Sequence, residues 1–194
     1  MGCRALTGTK VVLDACVLVG SIRRHVLLSF AEAGAFSPVW SADILFETER
    51  AIPKGLPAGA QSDRDVAAHA HRICALMNAA FPMAEQSFTA SPPLKGLPDP
   101  DDQHVIDLAV SSGSAFIITE NLRDFPRGLL NEFGLSAMKT DDFLRDMIFE
   151  NPNEANLIID RLRQRIGRAH IGREEMIVRM KKVGLRKSAR VLAE

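Results

Sequence analysis

The chain has 194 residues, of which 46% are hydrophobic and 25% charged, and its 24 basic and 24 acidic side chains cancel. This balance is typical of a folded globular protein and excludes a largely disordered chain and a long coiled coil. No apolar run reaches about 18 residues, which excludes a membrane-spanning helix. Residues 1–10 lack the apolar core of a signal peptide and the three cysteines are scattered, so we expect a cytoplasmic protein without disulfides.

The zero net charge hides an asymmetry between the two parts of the chain. Residues 1–150 hold 13 Lys and Arg against 19 Asp and Glu, whereas residues 151–194 hold 11 against 5. The basic segment therefore either pairs with the acidic body as an ordinary solvated face or attracts phosphate groups. The sequence leaves both interpretations open.

Short apolar runs alternate with helical patterns through the first 140 residues. Strands are predicted at residues 11–13, 36–39, 115–119 and 134–138. Helices are predicted at residues 17–33, 41–52, 63–80 and 102–112, with loops at 53–62 and 87–100. This alternation predicts an α/β fold with a central parallel sheet covered on both faces. Such sheets bind ligands at the carboxyl ends of their strands.

After Thr140 the sequence pattern changes from alternating strands and helices to helices alone. Four helical stretches follow at residues 141–147, 153–168, 173–182 and 185–192, with breaks at Pro152, Gly172 and Gly184. We therefore predict two units: a catalytic-type α/β domain over residues 1–139 and a small helical C-terminal extension over residues 140–194.

Carboxylates gather where this fold builds its sites. Asp14 ends the first strand, Glu47 lies inside a helix, Asp102 stands at the start of another helix, and Asp124 follows the strand at 115–119. Taken singly, each is explained as a turn, cap or exposed helix residue. Together they form a set that would repel itself unless a cation neutralised it, and hard oxygen ligands suit Mg²⁺ or Mn²⁺.

This ordered set resembles the PIN-domain family, in particular the ribonuclease toxins of VapBC-like toxin–antitoxin pairs. The matching stretches are residues 11–18, 40–47, 97–106 and 116–125. The resemblance covers about residues 10–140, and the helical continuation is similar to a bacterial subgroup with an added C-terminal segment. It implies a PIN-like α/β/α sandwich and an endoribonuclease, a hydrolase that uses Mg²⁺ or Mn²⁺ to activate water against a backbone phosphodiester, leaving 5′-phosphate and 3′-hydroxyl ends.

Carried over position by position, the resemblance assigns site roles to Asp14, Glu47, Asp102, Asn121, Asp124 and Thr119. The first three are the carboxylate metal ligands. The fourth position varies between Asn and Asp within the family, so either Asn121 or Asp124 fills it. The hydroxyl of Thr119 orients a ligand or water.

One departure concerns the residue two positions after Asp14. Relatives usually carry Asn there, whereas this chain has Cys16, a weaker hydrogen-bonding group. Arg23 and Arg24, early in the first long helix, either guide RNA or belong to a solvated face. The resemblance also implies an RNA substrate and a small DNA-binding antitoxin as partner. The C-terminal extension serves homodimer formation, antitoxin binding or substrate choice, and the sequence does not separate these roles.

Other metal and nucleotide folds fit poorly. The chain has no second Asp two residues after Asp14, as a haloacid-dehalogenase-type phosphatase would need, and no phosphate-binding or dinucleotide-binding glycine motif. The alternative that stays open is a degenerate PIN-like protein that binds RNA or a partner without cutting, because Cys16 and Asn121 weaken the site. Retention of the three carboxylates favours activity.

Overall fold

The computed structural model describes residues 8–53, 63–166 and 171–193. Its four strands are β1 Lys10–Leu13, β2 Ser37–Val39, β3 Phe116–Ile118 and β4 Ser136–Met138. They form one parallel sheet in the order β2-β1-β3-β4. The predicted α/β fold with a central parallel sheet is confirmed.

Both faces of this sheet are covered. Val11, Val12 and Leu13 are each 0% exposed, although successive residues of a strand point to opposite faces. Ile117 and Ile118 in β3 are equally buried. Helices therefore pack on both sides, as parallel sheets require, and the layered sandwich expected from the resemblance is present.

Within residues 8–53 and 63–139, six helices accompany the sheet. They are α1 Ala15–Leu18, α2 Ser21–Glu32, α3 Ala42–Ala51, α4 Asp63–Ala80, α5 Gln103–Ser112 and α6 Arg127–Glu132. Short 3₁₀ turns at Pro100–Asp102 and Leu122–Asp124 precede α5 and α6. The predicted helix at 63–80 is confirmed with the same bounds, whereas α6 was not predicted. Most of the predicted loop at 53–62 lies outside the described residues.

The single helix predicted at residues 17–33 is wrong. The chain forms α1 and α2 instead, because Gly20 takes an extended backbone (φ −73°, ψ 121°) and begins a new helix. The break leaves carbonyls at the end of α1 without helical partners. Arg24 satisfies them: its Nη1 donates to the carbonyl oxygens of Leu18 at 2.6 Å and Val19 at 3.1 Å.

The C-terminal part forms four helices, as predicted. They are α7 Thr140–Glu150, α8 Pro152–Arg165, α9 Arg173–Lys182 and α10 Arg186–Val191. The predicted end of the second one, at residues 167–168, lies outside the described residues. Asn151 caps α8, since its side chain accepts from the Glu154 N–H, and Pro152 takes the first helical position, where its missing N–H costs nothing.

These helices share the apolar core of the sheet layer. Helix α8 packs on α2, and Met176 and Met180 of α9 are fully buried in the same hydrophobic cluster as the strands. The Asp141 carboxylate accepts from the N–H groups of Lys187 and Ser188, both at 2.9 Å, which fastens α10 to α7. The division at residue 139 stays a prediction.

Over residues 8–53, 63–166 and 171–193, no helix combines the length and apolarity needed to cross a bilayer.

Candidate active site

The centre of the site is a pair of side chains at neighbouring strand ends. Leu13 of β1 is in register with Ile118 of β3, so the residues that follow them, Asp14 and Thr119, meet at one edge of the sheet. The Thr119 hydroxyl donates to Asp14 Oδ2 at 2.6 Å. Thr119 is fully buried and Asp14 is 7% exposed, so this hydrogen bond is shielded from water. The strand order thus fixes the first carboxylate of the site.

Cys16 adds a second donor to the same oxygen. Its Sγ lies 2.9 Å from Asp14 Oδ2, 3.4 Å from Thr119 Oγ1, and accepts from the Glu120 N–H at 3.2 Å. Burial, together with the Asp14 charge and the hydrogen bond to it, raises the pKa of Cys16 to about 12, although Thr119 and the Glu120 N–H act in the opposite direction. The thiol therefore stays protonated and donates a hydrogen bond to the Asp14 carboxylate. Cys16 holds Asp14 as a hydrogen-bonding residue should.

Asp102, in the 3₁₀ turn before α5, adds a further carboxylate to this site. Its pKa is raised from 3.8 to about 6 by partial burial first, and then by the negative charges of Asp14, Asp124 and Asp99, while His104 lowers it slightly. Three elements that are distant in sequence thus bring their carboxylates within electrostatic reach of one another. Uncompensated negative charge of this kind is what a bound cation would relieve.

The turn after β3 supplies the remaining polar groups. The Thr119 hydroxyl accepts from the Asn121 N–H at 3.0 Å, which ties this turn to the strand end. The Asn121 side-chain amide donates to Asp124 Oδ2. Asp124 is the more enclosed of the two, with a side chain 15% exposed and 3.7 Å from Arg123, whereas Asn121 is exposed. The pair therefore acts as a unit, with Asp124 contributing the charge felt by Asp102.

Glu47 has a different partner. It projects from α3, and its Oε1 lies 3.1 Å from His104 Nε2, in the first turn of α5. Burial lowers the pKa of His104, but the adjacent Glu47 carboxylate, with the charges of Asp43 and Asp102, outweighs it and raises the pKa overall. The Glu47 carboxylate is thus associated with a histidine that itself borders the aspartates.

The two arginines proposed for RNA contact are engaged inside the protein. Arg24 is 5% exposed and satisfies the α1 carbonyls described above, so it does not lie on a solvated face. Arg23 is half-buried: its Nη2 donates to the Val183 carbonyl at 2.7 Å, and its Nε lies 3.7 Å from Glu120 Oε1. Arg23 therefore links the site to the C-terminal helices.

The donor chemistry suits a hard divalent cation, although the side chains do not converge on one point. Within the described part of the chain, no three His, Cys, Asp or Glu side chains stand close enough together to hold a metal ion as they are. Asp14, Asp102 and Asp124 nevertheless offer oxygen atoms at one edge of the sheet, and partial burial together with their mutual repulsion raises the pKa of Asp102. The aspartates fit such an ion in donor chemistry but would have to close on it, and Glu47 would have to turn from His104 to join them.

A sequence model of the PIN domain family matches residues 5–123. The chain belongs to the PIN domain family. Proteins of this family are in general metal-dependent nucleases that use divalent ions. The match includes Asp14, Glu47, Asp102 and Asn121, and it ends one residue before Asp124. Comparisons with curated proteins and with solved structures give no match.

Two features of this site went beyond the sequence-based assignment. Cys16 was treated as a weakening departure, although its position two residues after Asp14 already placed it beside that carboxylate. His104 is not among the residues that the sequence singles out, because neither Asp14 nor Glu47 is near it in sequence. Only the folded arrangement of the chain brings Glu47 of α3 to it.

Proposed function

We propose that this PIN-domain protein is a Mg²⁺- or Mn²⁺-dependent endoribonuclease that hydrolyses RNA phosphodiester bonds. One observation carries the proposal: Asp14, at the carboxyl edge of the parallel sheet, has the carboxylates of Asp102 and Asp124 within electrostatic reach, and burial together with the charges of Asp14, Asp124 and Asp99 raises the pKa of Asp102. A fold does not keep like charges together at a ligand-binding edge without a counter-charge. The family supplies the class of chemistry, metal-dependent phosphodiester hydrolysis.

Asp14, Asp102 and Asp124 would hold the metal, with Asn121 beside Asp124 and Glu47 as a further carboxylate. Thr119 and Cys16 both donate to Asp14 Oδ2, so that oxygen is saturated and Oδ1 is left for a ligand. A bound divalent ion would lower the pKa of water and stabilise charge on a phosphoryl oxygen. The two donors reduce the freedom of the carboxylate and thereby preorganise it.

Glu47 supports the same function from its place beside His104. A glutamate 45% exposed on its side chain can change rotamer at small cost, and His104 offers it a resting partner 3.1 Å away. We propose that Glu47 joins the aspartates when the cation is present. His104 would then retain the charge of Asp102 as a neighbour, since both lie at the start of α5.

The same resemblance supports a biological role as the toxin of a toxin–antitoxin pair. Under this proposal the protein is cytoplasmic, cleaves cellular RNA, and is silenced by a small DNA-binding antitoxin; homodimer formation is part of the same hypothesis. Expression of the chain alone should arrest growth, and the Asp14→Asn variant should not. Co-expression with the protein encoded beside it should restore growth.

The contact between Glu47 and His104 favours one alternative, a PIN-like module that binds RNA or a partner without cutting it. In that case Glu47 would stay with His104 whatever cation is present. Cleavage distinguishes the two functions directly. The purified chain is incubated with pooled cellular RNA in Mg²⁺, in Mn²⁺ or in EDTA, beside Asp14→Asn and the remote control Glu150→Gln.

The nuclease proposal predicts fragments with 5′-phosphate ends in either metal, none in EDTA, and loss only in Asp14→Asn. Glu150 is exposed at the end of α7 and touches none of the site residues, so its variant should cut like the wild type. RNA binding without cleavage in every metal would overturn the nuclease proposal and support the binding module.

A further inference from the structure

The basic C-terminal segment divides into residues with and without acidic partners. Ion pairs engage Arg163 with Asp160, Arg165 with Glu32, Arg173 with Asp160, Arg179 with Glu175, and Lys187 with Asp142. Lys181, Lys182 and Arg186 are exposed, and none of them has an acidic partner within the described residues. These three, which we call the basic corner, surround the turn between α9 and α10.

The turn that carries the basic corner is linked to the aspartate site through Arg23. Arg23 donates to the Val183 carbonyl at 2.7 Å, and a Cβ on Gly184 would lie 3.6 Å from its Nη2. The same guanidinium is 3.7 Å from Glu120, whose N–H donates to Cys16. Four residues in contact therefore lead from the α9–α10 turn to the neighbour of Asp14.

Helix stability accounts for the positive charges of Lys181 and Lys182 but not for that of Arg186. Lys181 and Lys182 stand in the last turn of α9, where the helix dipole favours positive charge. Arg186 is the first residue of α10, where the dipole disfavours positive charge. Its charge contributes nothing favourable to the helix, and no acid in the described residues compensates it. The charge of Arg186 is better explained by something outside the chain.

We propose that Lys181, Lys182 and Arg186 contact the phosphate backbone of the RNA and hold the strand against the acid site. The inference rests on the proposed function and assigns a task to the C-terminal helices. A cluster of aspartates repels RNA, so a nuclease needs cations beside it to bring the strand in. The segment that carries the corner has 11 basic and 5 acidic residues, opposite in sign to the body of the protein.

The test measures binding of a short fluorescein-labelled RNA of mixed sequence by anisotropy in EDTA, between about 0.05 and 0.3 M salt. Lys181→Gln, Lys182→Gln, Arg186→Gln and the triple variant are compared with Arg161→Gln. Arg161 is equally exposed but lies near Glu32, at the end of α2 about 13 Å from Arg23 by helix rise. The Arg161→Gln variant therefore removes one positive charge, as each single variant does, at a position away from the aspartates.

Each phosphate contact to single-stranded RNA contributes about 0.7 to the slope of log affinity against log salt. The triple variant should therefore lose about 2 from that slope and bind about a hundredfold more weakly at about 0.1 M salt, and each single variant about fivefold more weakly. Arg161→Gln should keep the wild-type slope. Melting temperatures of all variants check that the chain is folded.

Equal weakening by Arg161→Gln, or an unchanged slope in the triple variant, overturns the inference. The Asp14→Asn variant separates this result from the proposed function. It should bind RNA no more weakly than the wild type while failing to cut it. The cleavage assay therefore tests the proposed function, and the binding assay tests the role of the basic corner.

Discussion

The Asp102→Asn variant should make the metal-free protein more stable at neutral pH while removing its activity. The pKa of Asp102 is raised from 3.8 to about 6, by partial burial first and then by Asp14, Asp124 and Asp99. About two pKa units correspond to about 3 kcal/mol as an upper limit. Because the residue is only half-buried, solvent screening reduces this, and we expect about 1 kcal/mol. For a chain of this length that is about 3 °C in Tm.

The sign of the pH dependence follows from the same shift. Unfolded Asp102 ionises near its ordinary pKa, whereas the folded carboxyl keeps its proton until about pH 6. The folded wild type therefore loses stability as the pH rises through this window, and the loss is complete above it. Asn carries no charge, so the advantage of the variant should be small near pH 4 and full at about pH 8.

Chemical denaturation in EDTA across this pH range measures the difference. Asp101→Asn is the matched control, because Asp101 is the neighbouring residue in the same 3₁₀ turn and its side chain is exposed. It should show no growing advantage with pH. Addition of Mn²⁺ should reverse the order of wild type and Asp102→Asn, because only the wild type binds the ion tightly. An Asn variant that is less stable at pH 8, or an advantage independent of pH, would refute the electrostatic reasoning.

Three further changes test neighbouring contacts. Cys16→Ala removes a donor to Asp14 and should weaken Mn²⁺ binding about tenfold in a calorimetric titration, whereas Cys16→Ser keeps the donor and should bind nearly as the wild type. Glu47→Gln should lower the free energy of unfolding by about 0.5 kcal/mol near pH 6 and not at all near pH 9. The reason is that the raised pKa of His104 makes its pairing with Glu47 stabilising below about pH 6.5, and this stabilisation is lost above the folded pKa. An equal loss at both pH values in urea denaturation would contradict this. Arg24→Gln leaves two carbonyls without their donor and should lower stability by about 2 kcal/mol, or Tm by about 6 °C, with RNA affinity unchanged in the folded protein; an unchanged Tm with lost RNA binding would restore Arg24 to the RNA surface.

The sheet was predictable because its signal is local. The two central strands, β1 and β3, carry short apolar runs, and residues such as Val12 and Ile117 are buried because both faces of a parallel sheet are covered. The meeting of Asp14 and Thr119 follows from the same logic, since both come directly after strands that pair. The family resemblance then supplied the order of the carboxylates, which composition and periodicity alone did not.

The features that were not predicted depend on packing between distant elements. Residues 17–33 keep a helical apolar period through Gly20, so periodicity does not reveal the break; the extended backbone at Gly20 and the placement of Arg24 against the freed carbonyls do. The contact of Glu47 with His104 needs the relative placement of α3 and α5, for which single helices carry no signal. Arg23 likewise finds its partner at Val183, 160 residues later.

We expect Asp14, Asp102 and Asp124 to bind one catalytic divalent ion. The most direct measurement is a Mn²⁺ titration of the full chain at about pH 8, above the raised pKa of Asp102, with RNA cleavage assayed on the same samples. We predict that Mn²⁺ binds the wild type and Asp101→Asn, that binding is lost in Asp14→Asn and Asp102→Asn, and that cleavage follows binding in all four. Cleavage that persists in EDTA, or Mn²⁺ binding unchanged by both site substitutions, would contradict the account.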